Sequence, residues 1–125
     1  MSIIEIFGKF LHDSQIDHEI KGNLISFKWE NLQYVMIYSQ DDSVYFRLML
    51  PRVVDVNDQN KATLEAIALE LSTKYKVGKI ITFNQSLWLS FEAFISSDVD
   101  NSKFFARAMR ILKLMYEDIR NLLKE

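Results

Sequence analysis

Side chains suited to metal or acid–base chemistry are few in this sequence, and their spacing matches no known motif. His12 and His18 are the only histidines, and neither lies in an H-x-x-x-H or H-E-x-x-H arrangement, so they predict no zinc site. His18 alternates with Ile16 and Ile20, which favours a packed histidine over a catalytic base. The chain contains no cysteine, which excludes disulfides, thiolate metal sites and thiol nucleophiles.

A stretch rich in Asp and Asn, residues 55–60, has some likeness to a calcium loop. An EF-hand loop requires glycine at its sixth position and glutamate at its twelfth, where this chain has Asn60 and Ala66. Asn57 or Asp58 is better explained as the cap of a following helix. We therefore predict no metal site here.

Glu92 is the carboxylate with the most promising neighbours. In the stretch WLSFEAFI, residues 88–95, Glu92 shares one strand face with Trp88. Beside Arg47 and Tyr45, a buried Glu92 with a raised pKa would line the pocket of a small-ligand-binding protein or an uncharacterised enzyme. However, one carboxylate makes no acid–base pair, and the chain has no glycine-rich phosphate loop and no G-x-S-x-G motif. We predict that the protein is not an enzyme, and we assign no catalytic, cofactor-binding or metal-binding residue.

Helices are predicted at the start and in the middle of the chain. Ser2 and Glu5 have the S-x-x-E spacing of a capping box, and apolar residues then follow at helical spacing to about Asp13. The apolar stripe of the central helix comprises Leu64, Ile67, Ala68, Leu71 and Tyr75.

A long helix is predicted at the end of the chain. Ser97 and Asp100 repeat the capping spacing, and no glycine or proline interrupts the chain from there to Lys124. Its expected inner stripe is Phe104, Ala108, Ile111, Met115, Ile119 and Leu122, widened by Phe105, Leu112, Tyr116 and Leu123. Such a wide apolar face predicts packing under a sheet.

Six segments have the alternation or turn signals of strands: 15–20, 24–29, 32–39, 43–50, 79–83 and 86–95. Turn residues separate them at Gly22, Glu30–Asn31, Gln40–Asp42 and Asn84–Gln85. Pro51 is expected to end the fourth strand because proline cannot donate to a ladder. The fold class is therefore α+β, an antiparallel sheet with the order α-β-β-β-β-α-β-β-α and helices packed mainly on one face.

The other face of this sheet is predicted to bind a protein. In the fourth strand Val44, Phe46, Leu48 and Leu50 form the core set, and alternation leaves the residues between them outside. With three helices on one face, no element remains to cover the other. The predicted interaction surface comprises Trp88, Phe94, Tyr45, Met49 and Arg47. The alternative is that a curled strand or a terminal helix buries Trp88 within the monomer.

Residues 60–95, NKATLEAIALELSTKYKVGKIITFNQSLWLSFEAFI, resemble the YbjN-like family, also called the bacterial sensory transduction regulator family. They share its pattern of a helix that runs through a basic turn into a hairpin, and the likeness in element order extends over nearly the whole chain. The resemblance implies a fold shared with type III secretion chaperones and a domain that is frequently dimeric. The family carries no catalytic residues to transfer.

Composition predicts one domain, residues 1–125, with no linker. The net charge of −2 supplies no polycation, so we expect no nucleic-acid partner, and the cluster Lys74, Lys76 and Lys79 is better explained by the preference of helix ends for cations. Glu5 and Lys9 interrupt the N-terminal apolar segment, and we expect no membrane partner and a cytoplasmic location. The predicted function is an interaction module, chaperone-like or regulatory, that binds itself in a homodimer or binds a client protein.

Overall fold

The computed structural model describes residues 2–42, 44–75, 78–96 and 100–124. Its elements, in chain order, are α1 (Ile3–Asp13), β1 (His18–Lys21), β2 (Leu24–Trp29), β3 (Leu32–Ile37), β4 (Tyr45–Asp55), α2 (Lys61–Lys74), β5 (Gly78–Phe83), β6 (Ser86–Phe94) and α3 (Ser102–Leu123). The predicted α+β class and element order are confirmed.

The N-terminal helix begins as its sequence predicts. The Ser2 hydroxyl accepts a hydrogen bond from the Glu5 backbone N–H, and the Glu5 carboxylate accepts one from the Ser2 backbone N–H, which completes the capping box. α1 buries Ile3, Phe7 and Leu11. Phe7 packs edge-on against Phe105 of α3, with ring centroids 5.0 Å apart.

All six strands form one antiparallel sheet in the order β1-β2-β3-β4-β6-β5. Two-residue turns join β2 to β3 at Glu30–Asn31 and β5 to β6 at Asn84–Gln85, and all four of these residues have positive φ. This backbone is typical of type I′ hairpin turns, whose twist matches that of the strands. The strands before α2 (β1 to β4) and the strands after it (β5 and β6) belong to one sheet because β4 pairs with β6.

Pro51 does not end the fourth strand, so that prediction is wrong. β4 continues to Asp55 through a bulge, and the register with β6 shifts between Leu50 and Val54. The pairing of β4 with β3 has already stopped at Met49. Pro51 is therefore unpaired on both sides, and its missing N–H costs no ladder hydrogen bond.

The start of β4 also differs from prediction. Val44 was expected in the core, yet it is 45% exposed. It precedes the first residue of β4 and lies beyond the last β3–β4 pair, Ile37 with Arg47. A side chain past the end of the ladder lacks a neighbour on that strand.

The cap of α2 and the buried stripe of α3 differ in detail from the prediction. Asn60 occupies the N-cap position of α2, whereas Asn57 accepts hydrogen bonds from the backbone of Gln59 and Asn60 in the preceding turn. In α3 the buried residues are Phe105, Ala108, Met109, Leu112, Met115 and Ile119. The stripe is rotated toward Phe105 because α1 packs on that side of α3. The predicted cap Ser97 lies outside the described residues.

All three helices pack on the same face of the sheet. α1 lies against β1 and β2, α2 against β5, and α3 against β4 and β6. The sheet contributes Ile25, Phe27, Tyr34, Met36, Phe46, Leu48, Leu50, Leu87, Leu89 and Phe91 to this core. The opposite face has no helix over it among the described residues.

Candidate protein-interaction surface

The helix-free face of the sheet is here called the open face. Strand alternation and the pairing register place the following side chains on the half of this face formed by β4, β6 and the edge strand β5: Tyr45, Arg47 and Met49 of β4, Trp88, Ser90, Glu92 and Phe94 of β6, and Lys79, Ile81 and Phe83 of β5. The five side chains predicted to form an interaction surface are therefore on one face. The sequence analysis missed Lys79 and Phe83, which alternation alone could have placed here once β5 was known to pair with β6.

Two aromatic pairs lie at opposite ends of the open face. Phe94 is 72% exposed, and its ring lies 5.7 Å from that of Tyr45. Phe83 is 54% exposed and packs edge-on to Trp88 at 5.5 Å. Contiguous exposed apolar groups mark interaction sites more often than single exposed side chains do, and each of these rings belongs to an aromatic pair.

Two of the predicted surface residues are less exposed than expected. Met49 is only 4% exposed, so the expectation of an exposed Met49 is wrong. It lies between Val35 of β3 and Ser90 of β6 in the middle of the sheet, where side chains of both adjacent strands enclose it. Trp88 is half-buried on the open face, so neither the fully exposed nor the fully buried alternative applies.

Two buried polar groups of the open face have no hydrogen-bond partner among the described residues. They are the indole Nε1 of Trp88 and the hydroxyl of Ser90. Buried polar groups are nearly always paired in folded proteins, and an unpaired one costs about 1–3 kcal/mol. Trp88 belongs to one of the exposed aromatic pairs, and Ser90 lies between the two pairs, opposite Met49 and Lys79.

A cluster of ion pairs lies between the aromatic pairs. The Oε1 atom of Glu92 accepts hydrogen bonds from Arg47, at 2.9 Å from Nε and 2.7 Å from Nη2, and from the Tyr45 hydroxyl. Its Oε2 atom lies 2.6 Å from Nζ of Lys79. The Glu92 side chain is 8% exposed, whereas Arg47 is 40% and Lys79 64% exposed. The carboxylate thus lies beneath two cations that face solvent.

The environment of Glu92 is opposite to the one expected for an acid–base catalyst. Burial alone would raise the pKa of Glu92, but hydrogen bonds from Lys79, Tyr45 and Arg47 outweigh burial and lower the pKa to about 2. The suggestion of a raised Glu92 pKa is therefore wrong. A carboxylate this acidic holds no proton near neutral pH and serves as the anchor of a structural cluster.

Five clefts in the surface of the described chain lie away from Glu92. The largest, about 370 Å³, is lined by His12 and His18 with three neighbours, and a smaller apolar groove lies between α2 and strands β5 and β6. Glu92, Arg47 and Tyr45 line none of the five.

The other candidate residues from the sequence are dispersed. The ring of His18 lies 3.1 Å from the carbonyl oxygen of Ile16, as expected for a packed histidine. Lys74 pairs with Asp118 of α3 at 2.8 Å, whereas Lys79 belongs to the open face, so these two lysines do not act together. The third, Lys76, lies outside the described residues. Over the described ranges, no three acidic or histidine side chains group as metal ligands would.

The comparisons with known proteins identify the fold. No family model matches the sequence, and a search of curated proteins gives no significant match. A solved structure does match: the crystal structure of YbjN from E. coli, described as a candidate transcription regulator, superposes with a TM-score of 0.59 at 10% sequence identity. The alignment covers 95% of this chain and 87% of YbjN. The chain has a YbjN-like fold.

The YbjN-like fold confirms in part what residues 60–95 predicted. The likeness extends to the fold, because 10% identity carries no residue-level correspondence. The link to type III secretion chaperones stays a prediction. In the helices of the described chain, no stretch combines the length and the apolar character needed to cross a membrane.

Proposed function

We propose that this YbjN-like domain is a non-enzymatic interaction module, chaperone-like or regulatory, that binds another polypeptide through its open face. The observation that carries the proposal is the exposure of Phe94 and Phe83 on a sheet face that no helix of the described chain covers. The description of YbjN as a candidate transcription regulator is compatible with such a role. The bound polypeptide is either a second copy of the chain or a client protein.

Burial of the exposed aromatic rings would contribute to the free energy of binding. Large aromatic side chains offer about 150 Å² or more each, and burial contributes about 25 cal/mol per Å². Covering Phe94 and Phe83 would therefore supply several kcal/mol before the cost of association. Aromatic and arginine side chains are also the types enriched in interface cores.

The enzymatic alternative has less support. It requires a concave site with a perturbed acid near Glu92, Arg47 and Tyr45. Instead, the Glu92 carboxylate is contacted by donor groups of three residues, Arg47, Tyr45 and Lys79, and its pKa is lowered to about 2.

Native mass spectrometry of the protein gently purified from its own host tests the proposal. We expect a mass near twice 14.7 kDa or the mass of a complex with a client. Phe94→Ser should abolish that species, because it removes the most exposed aromatic ring of the open face.

Leu69→Ser is the matched control. Leu69 is 73% exposed but lies on α2, away from the open face. The proposal is wrong if the wild-type protein is a bare monomer, or if both substitutions weaken the complex equally.

A further inference from the structure

We infer that the open face binds an amphipathic helix of another protein, with a carboxylate of that helix opposite Lys79 and Arg47. This inference rests on the proposed function and adds the chemistry of the partner. Three observations support it: the positive charge of the open face, the pairing of its backbone hydrogen-bonding groups, and the order of its side chains along β6.

The centre of the open face presents positive charge although the whole chain carries a net charge of −2. Two cations, Arg47 and Lys79, surround one carboxylate, and that carboxylate is nearly buried. A partner therefore meets the cations first. Other charges of this face include Asp55, opposite Ser86, Lys28 of β2, opposite Gln33, and Lys21, which pairs with Glu19 on the edge strand β1.

The strands β4 and β6 have no free backbone hydrogen-bonding row, and the free row on this side of the sheet is at the outer edge of β5. β4 is paired with β3 and β6, and β6 is paired with β4 and β5. A polypeptide that lies on this face gains side-chain contacts only, and it must satisfy its own backbone N–H and C=O groups. A helix does so internally, and helices already cover the opposite face of the same sheet.

The side chains follow the order aromatic, cationic, aromatic along β6. Lys79 is opposite Ser90, which lies four residues from Phe94 and four from Ser86, the partner of Phe83. At about 3.3 Å per residue, the row formed by Lys79 and Ser90 is about 13 Å from Phe94 at one end and from Ser86 at the other. A helix of about 17 residues spans the whole distance, with apolar side chains at both ends and an acidic residue at its middle.

The same order disfavours a second copy of this chain. A face-to-face two-fold dimer that matches one aromatic pair with the other brings the central row of one copy onto the central row of its partner. Lys79 would then face its own equivalent, and like charges across an interface are repulsive. A partner with carboxylates removes this conflict.

Fluorescence anisotropy with two labelled helical peptides tests the inference. Each peptide has 18 residues and one stripe of leucine and phenylalanine, and the flanking positions are glutamate in the first and lysine in the second. We expect the protein, once freed of its host partners, to bind the acidic peptide about fivefold to tenfold more tightly than the basic one, with a preference that shrinks as salt is raised.

Variants of Lys79 assign the preference to the central cations. Lys79→Gln leaves one positive charge, on Arg47, and one negative charge, on Glu92, and should remove the preference for the acidic peptide. Lys79→Glu should reverse that preference. Phe94→Ser should weaken both peptides, and Leu69→Ser should change neither. If Lys79→Glu proves unstable, Lys79→Gln alone decides the question.

Three outcomes overturn the inference, and they differ in what they mean for the proposed function. Equal binding of both peptides with loss in Phe94→Ser leaves an interaction surface without the charge preference. A homodimer that Phe94→Ser dissociates means that a second copy occupies the face. Absence of any binding or association that depends on Phe94 removes the proposed function as well.

Discussion

At the scale of single residues, Gly78 and Glu92 have roles that depend on close neighbours from other elements. Gly78 opens β5 and faces α3, where Met115 is completely buried. Glu92, on β6, holds together side chains of β4 and β5. One residue acts through the space it leaves and the other through the charge it carries.

Gly78→Ala should destabilise the protein by about 1–2 kcal/mol, because the new Cβ would collide with Sδ of Met115 and lie 2.9 Å from its Cε. Met115 is completely buried, so the end of its side chain must repack within the core. Gly8→Ala is the control: its Cβ would be 3.6 Å from the nearest atom, within the interior of α1. That change should stabilise the fold by up to about 1 kcal/mol, and urea denaturation measures both. Equal effects of the two changes would contradict the proposed contact.

Glu92 should make stability depend on pH in acid. Its pKa is lowered from an ordinary value of 4.5 to about 2, so its contribution is complete above pH 4.5 and is lost as the pH falls toward 2. Relative to Glu92→Gln, the wild-type protein should be more stable by about 2 kcal/mol at neutral pH, and this difference should vanish near pH 2.

Urea denaturation of both proteins between pH 7 and pH 2 measures this difference. Asp13→Asn is a suitable control, because the Lys9–Asp13 pair is more than half exposed and should add little. A constant difference between wild type and Glu92→Gln at all pH values would mean that the carboxylate charge is not what stabilises the cluster.

At the scale of elements, the hairpin turns carry strain that the sequence does not relieve with glycine. Glu30, Asn31, Asn84 and Gln85 all have positive φ. Glutamate and glutamine are less suited to this conformation than asparagine or glycine. The turns are nonetheless held because the paired strands on either side fix their register.

Gln85→Gly should stabilise the protein by about 1 kcal/mol, because it creates the Asn-Gly pair that type I′ turns favour. Gln33→Gly, an exposed position within β3, should instead destabilise it, because glycine weakens a strand interior. Thermal unfolding of both variants measures the difference. A loss of stability in Gln85→Gly would show that the turn needs the glutamine side chain.

At the scale of the whole molecule, the two faces of the sheet have different roles. The helical face contains the core, and the open face contains exposed aromatic pairs around a cationic centre. This division underlies the proposed function, since a side chain that does not stabilise the monomer is free to stabilise a complex.

Leu48→Ala and Phe94→Ser should separate these roles. Leu48 is fully buried, and its truncation should cost about 2–5 kcal/mol. Phe94 is 72% exposed, and its replacement should change the unfolding free energy of the monomer by less than about 0.5 kcal/mol. Chemical denaturation of dilute monomer measures both. A large loss in Phe94→Ser would assign that ring to the fold.

The sequence by itself determined the order of elements, the capping box of α1, the hairpin turns and the assignment of Tyr45, Arg47, Trp88 and Phe94 to one face. These features depend on short-range periodicity and local backbone chemistry, and both are set by residues that lie close together in the sequence. Only the tertiary structure decided that β4 continues past Pro51, because that outcome depends on where its neighbours stop pairing. The tertiary structure also decided the burial of Met49, because side chains of the adjacent strands enclose it. It likewise decided the low pKa of Glu92, because the register of β4, β5 and β6 brings the hydrogen-bond donors to its carboxylate.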